Sequence, residues 1–287
     1  MPERLDSSLP SSADATTLAP LHALPPDAWR QIVGVLTDID DTLTTEGAIT
    51  DDALKALGAL HGAGLFVIPV TGRPVGWCAS FALSWPVDAI VAENGAVALY
   101  RRTGEVAPAK IYQADAETRA ANFARLQKVA ARVLREVPGA TLAQDSAGRE
   151  TDIAIDHSEF THLPLADIDR VVALMRAEGL NASVSSIHIN GWVGDHDKWQ
   201  GACWAARAVL QRELSAEVQR WIYVGDSTND QVMFAHFPHS VGVANIRRFA
   251  DQLQHRPRYV AAAERGAGFA EVAAMVLAHR NGWQFQL

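Results

Sequence analysis

Along the chain, apolar residues gather into short runs, each ending in a polar cluster. Ile32-Val33-Gly34-Val35-Leu36-Thr37 runs into Asp38, and Leu65-Phe66-Val67-Ile68-Pro69-Val70 into Thr71-Gly72-Arg73. Asp88-Ala89-Ile90-Val91-Ala92 leads to Glu93-Asn94-Gly95, and Trp221-Ile222-Tyr223-Val224 leads to Gly225-Asp226. Continuous β-branched runs of this kind predict strands buried on both faces. Pro69 permits an edge or irregular position in the second strand. Ser240–Ala244 and Tyr259-Val260 are shorter strand candidates. Between the first two strands, Thr50-Asp51-Asp52 offers a cap and an acidic first turn. Leu54, Leu57 and Leu60 then follow at helical spacing, and Gly64 sits where a helix stops.

From about Lys110 to Asn190 the pattern changes. A long amphipathic helix carrying Phe123, Leu126, Val129, Val133 and Leu134 is followed by alternating segments at Thr141–Asp145 and Thr151–Asp156. A second helix then covers Ile168–Ala177, and a strand pair lies near Val184–Val193. The order α-β-β-α-β-β predicts an inserted α+β domain. The expected fold is therefore α/β, a doubly wound, mainly parallel sheet interrupted by a cap. The expected division is a flexible tail over 1–29, core over 30–108, cap over 109–189 and core again over 190–287. Met1–Pro26 is rich in Ser, Ala, Pro and Asp and lacks the basic and apolar segments of a signal peptide.

Composition narrows the function. The 287 residues are 48% hydrophobic and 20% charged, with a net charge of −8, and they contain no Lys/Arg-rich run. This excludes broad binding to nucleic-acid backbones. No apolar run approaches the roughly 18 residues that would suggest a membrane span. Cys78 and Cys203 are the only cysteines and have neither C-x-x-C nor metal-site spacing, so a reduced, cytoplasmic setting is expected. Core packing is the expected role of Trp199, Trp204 and Trp221.

The strand ends carry the chemistry. Asp38 and Asp40, two apart in extended chain, can address one reacting centre, and two carboxylates can divide nucleophilic and proton-transfer work when their environments differ. Gly225-Asp226-Ser227-Thr228-Asn229-Asp230 adds hard oxygen ligands suited to Mg²⁺. Thr71, at a Gly-containing turn, suits a phosphate oxygen, and Lys198, at the start of a helix expected to run through Trp199 to Leu214, offers a mobile positive charge. Because parallel strands present their C-terminal ends along one edge, these segments are expected to converge on one crevice.

In this order, Asp38-Ile39-Asp40-Asp41-Thr42-Leu43, Val70-Thr71-Gly72-Arg73, Lys198 and Gly225-Asp226-Ser227-Thr228-Asn229-Asp230 resemble the four motifs of the haloacid dehalogenase superfamily of phosphohydrolases. The insert and Glu93-Asn94-Gly95-Ala96 are similar to the type IIB group, which includes Cof-type, sucrose-phosphate and mannosyl-3-phosphoglycerate phosphatases. Asp41 departs from the Gly that many of that group carry.

The resemblance implies an Mg²⁺-dependent phosphatase acting on a small phosphorylated metabolite, a sugar phosphate foremost. Asp38 forms an aspartyl-phosphate, Asp40 protonates the leaving oxygen and then activates water, and Thr71 and Lys198 hold the phosphoryl group. Asp226, Asp38 and the Asp40 carbonyl bind the metal, with Asp230 and Asn229 in support. Gly72, Arg73 and Asn229 are further substrate-binding candidates. In the cap, Arg149, His157 and His188, with Asp152 and Asp156, could meet the rest of the substrate, although a solvated sheet face is the simpler expectation. A phosphomutase using the same aspartate and a non-catalytic binding protein are the alternatives.

Overall fold

A computed structural model describes residues 18–280. The core sheet contains β1 (Ala19–Pro20), β2 (Gly34–Thr37) and, beyond a small hairpin of β3 (Thr44–Thr45) and β4 (Ala48–Ile49), β5 (Phe66–Pro69). Between and after these come α1 (Pro26–Gln31), α2 (Asp51–Gly62) and α3 (Val75–Ser84). β6 (Ile90–Ala92), β7 (Val97–Tyr100) and β8 (Ala109–Tyr112) form a separate antiparallel sheet.

The insert comprises α4 (Ala116–Glu136), β9 (Thr141–Leu142), β10 (Asp152–Asp156), α5 (Leu165–Ala177), β11 (Asn181–Val184) and β12 (His188–Trp192). The chain then returns through α6 (Lys198–Ala205), β13 (Trp221–Gly225), α7 (Gln231–His236), β14 (Ser240–Gly242), β15 (Tyr259–Val260) and α8 (Arg265–Arg280). The six-stranded core sheet is parallel throughout, in the order β1-β15-β14-β13-β2-β5.

Alternation along its strands divides the core into two layers. Val35, Val67, Ile222 and Val224 pack on one face with Leu57 and Leu60 of α2 and Phe269 and Val272 of α8. Their neighbours Leu36, Ile68, Trp221 and Tyr223 pack on the other with Ala202 and Ala205 of α6 and Met233 and Phe234 of α7. A strand covered on both faces has no polar side to show, which explains the uninterrupted apolar runs. Gly34 is required by this packing, since a Cβ there would stand 2.2 Å from the Trp221 ring. Pro69 ends β5, the outermost strand of the six, where a missing N–H is tolerated.

Two readings from sequence need correction. Residues 18–29 are not a flexible tail: Ala19 and Pro20 pair with Tyr259 and Val260, and Leu21, Leu24 and Trp29 are buried. Their apolar side chains have a groove to fill, and the Trp29 indole donates to the Leu24 carbonyl at 3.0 Å. The rest of the tail, 1–17, lies outside the described residues. The helix expected from Trp199 to Leu214 stops early: α6 gives way to a π-turn at Ala206–Leu210, closed by Gln211 in the left-handed region at φ 57°.

In the insert, α4 and α5 cover one face of a four-stranded sheet ordered β11-β12-β10-β9. Ile153, Ile155 and Ile189 face Leu126, Val129 and Val133 of α4 and Val171 and Met175 of α5. The alternate residues Asp152, Asp156, His188 and Asn190 point the other way. They are buried at 0–2% exposure rather than lying on a solvated face: Asp152 and Asn190 meet Asn94 and the Gly72 carbonyl of the core, His188 meets Glu159, and Asp156 is covered by the backbone of residues 158–161. β12 spans the boundary placed after residue 189, and β8 pairs with β7 rather than with the cap sheet.

Glu93 ties cap to core. It sits at the end of β6 in the left-handed region at φ 48°, followed by Asn94 at 54° and Gly95 at 110°. Its buried carboxylate accepts from the backbone N–H groups of Val75, Glu150 and Thr151 and from the Thr151 hydroxyl, at 2.5–3.1 Å. Glu93→Gln replaces one acceptor oxygen with a donor facing donors. Bonds to a charged partner contribute about 1.5–3 kcal/mol, so the substitution is expected to lower the denaturant midpoint accordingly. Amide exchange at Glu150 and Thr151 should also accelerate; unchanged protection there would contradict this docking role.

Candidate active site

The strand ends meet as the parallel topology requires. Asp38 follows β2, Asp226 follows β13, and Asp230 lies one turn later, where the Ser227 and Asp230 side chains and backbones form a reciprocal capping box. Lys198, at the start of α6, is placed by Asp197, whose carboxylate caps the helix through Gln200 N at 2.8 Å. The Lys198 ammonium donates to Asp38 Oδ1 at 2.6 Å and to Asp230 Oδ1 at 2.7 Å. All four side chains are almost wholly buried.

Asp230 is held by more than Lys198. Tyr223 OH donates to its Oδ1 at 2.5 Å, and Asp226 N and Ser227 N donate to its Oδ2 at 2.9 and 3.2 Å. Asn245 donates to Asp226 Oδ2 and to the Asp41 carbonyl, both at 3.0 Å. Sequence reading missed Tyr223 and Asn245. Asn245 follows β14, so the strand-end rule that located Asp226 extends to it. Tyr223 lies inside a strand and gave no such signal.

Burial pushes the Asp38 carboxyl up to about 8 against the opposing pull of Lys198, and Asp230 and Asp40 push in the same direction as burial. Asp226 is also raised well above the carboxylate range, by burial and then by Asp38 and Asp230. Burial disfavours the Lys198 ammonium, but Asp230 and Asp38 outweigh it and raise its pKa.

A divalent cation fits this set. Oxygens of Asp38, Asp226 and Asp230 lie within 4.8 Å of one another, and Asp226 Oδ1 is buried without a hydrogen-bond partner. Hard carboxylate oxygens suit Mg²⁺, whose charge would offset the repulsion that raises these groups. The Asp40 carboxylate is not among these oxygens.

Asp40 instead faces Arg73, which donates from Nε at 2.9 and 3.0 Å. The same guanidinium donates to Asp145 at 3.1 Å and Glu159 at 2.7 Å, both from the cap. It also stands 5.3 Å from the centre of the Trp77 ring. Burial alone would raise Glu159, but bonds from His188 and Arg73 hold it down at about 2. Asp145 and Glu159 were not expected from sequence, because their roles depend on how the cap lies against the core.

The remaining candidates divide. Thr71 is buried, and its hydroxyl accepts from Arg73 N at 3.0 Å. The Gly72 carbonyl accepts from Arg149 at 3.0 Å and from Asn190 at 3.3 Å, so the turn after β5 is joined to the cap. Arg149 also bonds Asp152 at 2.8 Å and Asp145 at 3.2 Å, which commits it to docking rather than to an open substrate site. Burial pushes Asp152 up to about 7 although Arg149 opposes it. His188 reaches Glu159 at 2.8 Å.

His157 is turned away, bonded to Ser158 Oγ and the Ser185 carbonyl. Asp156 accepts four backbone N–H groups of residues 158–161, a structural task. Asn229 Oδ1 accepts from Ser227 Oγ at 2.9 Å and lines a cleft beside Lys198. Cys78 is buried, which pushes its thiol pKa up and leaves it unsuited to attack.

Residues 35–161 match the model of the haloacid dehalogenase-like hydrolase family. No curated protein shows significant sequence similarity to the chain. Among solved structures, a Thermoplasma acidophilum protein is 16% identical with a TM-score of 0.65, over 86% of this chain and 98% of its own. The sucrose-phosphatase of Synechocystis sp. PCC6803, solved with sucrose and phosphate, is 16% identical with a TM-score of 0.61, over 86% and 98%. A haloacid dehalogenase-like hydrolase from Bacteroides thetaiotaomicron is 14% identical with a TM-score of 0.60, over 85% and 99%. At these identities the likeness is one of fold, and it spans core and cap together. The family match, over rather less than half of the chain, and a likeness of fold that continues through the α-β-β-α-β-β insert make the chain similar to the haloacid dehalogenase-like hydrolases.

Proposed function

We propose that the protein is an Mg²⁺-dependent phosphatase that hydrolyses a small phosphorylated metabolite, a sugar phosphate foremost, through an aspartyl-phosphate on Asp38. The observation that carries this reading is the Lys198 ammonium bonded to Asp38 and Asp230 at the meeting point of the strand ends. Phosphoryl transfer asks a protein mainly for in-line positioning and charge compensation, and this arrangement supplies both. A sugar phosphate is favoured because the fold, insert included, resembles that of the sucrose-phosphatase solved with sucrose and phosphate.

Asp38 Oδ attacks phosphorus, and the ester oxygen leaves with a proton from Asp40. Asp40 then takes a proton from the water that attacks the same phosphorus, releasing phosphate and restoring the Asp38 carboxylate. Lys198 and the Thr71 hydroxyl hold the phosphoryl oxygens, and Arg73 orients Asp40. Asp38, Asp226 and the Asp40 carbonyl would hold Mg²⁺, supported by Asp230, and its charge would offset that of carboxylates and phosphate.

Phosphate release from sugar phosphates, nucleotides and an aryl phosphate is expected with Mg²⁺ and is lost with chelator. Asp38→Asn should lower it by at least about 10³-fold with the fold retained by circular dichroism. Transfer of phosphate to an organic acceptor without free phosphate would indicate a mutase, and ligand binding without turnover a binding protein. Separately, Mg²⁺ at about a hundredfold over its Kd stabilises a bound fold by about 2.7 kcal/mol, an increase in thermal midpoint of about 5 °C. Asp226→Asn is expected to abolish that increase; an undiminished increase would locate the metal elsewhere.

A further inference from the structure

Around the site, the protein matches its own cations with its own carboxylates. Lys198 is bonded to Asp38 and Asp230, and Arg265 pairs with Asp41 at 3.0 Å. Arg73 contacts three acids, Asp40, Asp145 and Glu159, while its side chain is only 6% exposed. The cap delivers Arg149 and His188 already paired, with Asp152 and Asp145 and with Glu159 respectively. The cap's contribution to the local charge is therefore negative or neutral.

The space beside Lys198 has a different character. A cleft of about 180 Å³ opens there, lined by Lys198 itself, whose ammonium is already engaged by Asp38 and Asp230, and by Asn94, Asn229, Ser183 and Trp192. Ser183 Oγ is buried without a hydrogen-bond partner, so a ligand group can satisfy it. Asp197, the one acid in the lining, is engaged in capping α6. Amides, a hydroxyl and an aromatic ring suit an uncharged molecule that carries hydroxyls along an apolar frame.

Resting on the phosphatase reading above, we propose that the leaving group of the substrate is uncharged and hydroxyl-bearing, and that Asp145 and Glu159 enforce this by occupying Arg73. A second carboxylate or phosphate on the substrate must either displace one of these acids from the guanidinium or lie uncompensated beside them. Both routes cost binding selectively for anionic leaving groups. A neutral alcohol is spared that cost.

Matched pairs test this. Glycerol 3-phosphate is compared with 3-phosphoglycerate, and glucitol 6-phosphate with 6-phosphogluconate, each pair differing by a carboxylate in place of a hydroxymethyl group. Every compound is scored with Mg²⁺ for phosphate release and as a competitor of aryl phosphate hydrolysis. The neutral member is expected to be favoured by at least about 10²-fold, the scale at which an unpaired polar group is rejected. Glu159→Gln, which removes one acid from Arg73 and the partner of His188, is expected to narrow the ratio at least about 10-fold by improving the anionic member. Asp145→Asn provides a second variant should the first fail to fold. Equal ratios, or a preference for the carboxylate, overturn the proposal while aryl phosphate hydrolysis leaves the phosphatase reading intact. Absence of release from every ester, the aryl phosphate included, overturns both.

Discussion

One buried ammonium organises this molecule's functional end. Lys198 lies between Asp38 and Asp230, and without it three buried carboxylates would face one another in a medium that strengthens their repulsion. Elements far apart in sequence cooperate to put it there. Asp197 caps α6, and Gly95 and Gly201 allow that helix to approach the turn after β6 so closely that a Cβ on either would stand 2.3 Å from backbone. The position of Lys198 thus depends on glycine as much as on charge.

A second ion cluster, around Arg73, does for cap and core what Lys198 does for the strand ends. Arg73 joins Asp40 to Asp145 and Glu159, Arg149 clasps the Gly72 carbonyl, and Glu93 receives the first residues of β10's approach. The cap sheet can bury its polar face only because these groups pair with one another across the boundary. Cap closure and the setting of Asp40 are consequently parts of one network, and a change in the cap can reach the chemistry through Arg73.

Much of this was legible in sequence, for a physical reason. Strands covered on both faces must be apolar from end to end, so β2, β5, β6 and β13 stood out and their C-terminal ends identified Asp38, Thr71, Glu93 and Asp226. The order of elements in the insert was legible through helical and alternating periodicity. What was not legible depends on contact between segments distant in sequence. His188 and Asn190 sit on an alternating strand whose polar face looks solvated until the core is laid against it. Asp145 and Glu159 are unremarkable loop acids until Arg73 reaches them. Leu21, Leu24 and Trp29 were masked by the Ser/Pro-rich composition around them, although their apolar side chains fill a groove beside β15 and α8.

The central claim is that Asp38 becomes covalently phosphorylated. The most direct test uses Asp40→Asn, which on that claim removes the base and should slow breakdown of the intermediate, with an aryl phosphate whose good leaving group needs little protonation. Acid quenching during turnover, digestion and mass spectrometry should find one phosphoryl group on the peptide containing Asp38, sensitive to hydroxylamine and absent when Asp38 is also replaced by Asn. Turnover with no adduct on that peptide, or an adduct on another residue, would contradict the account.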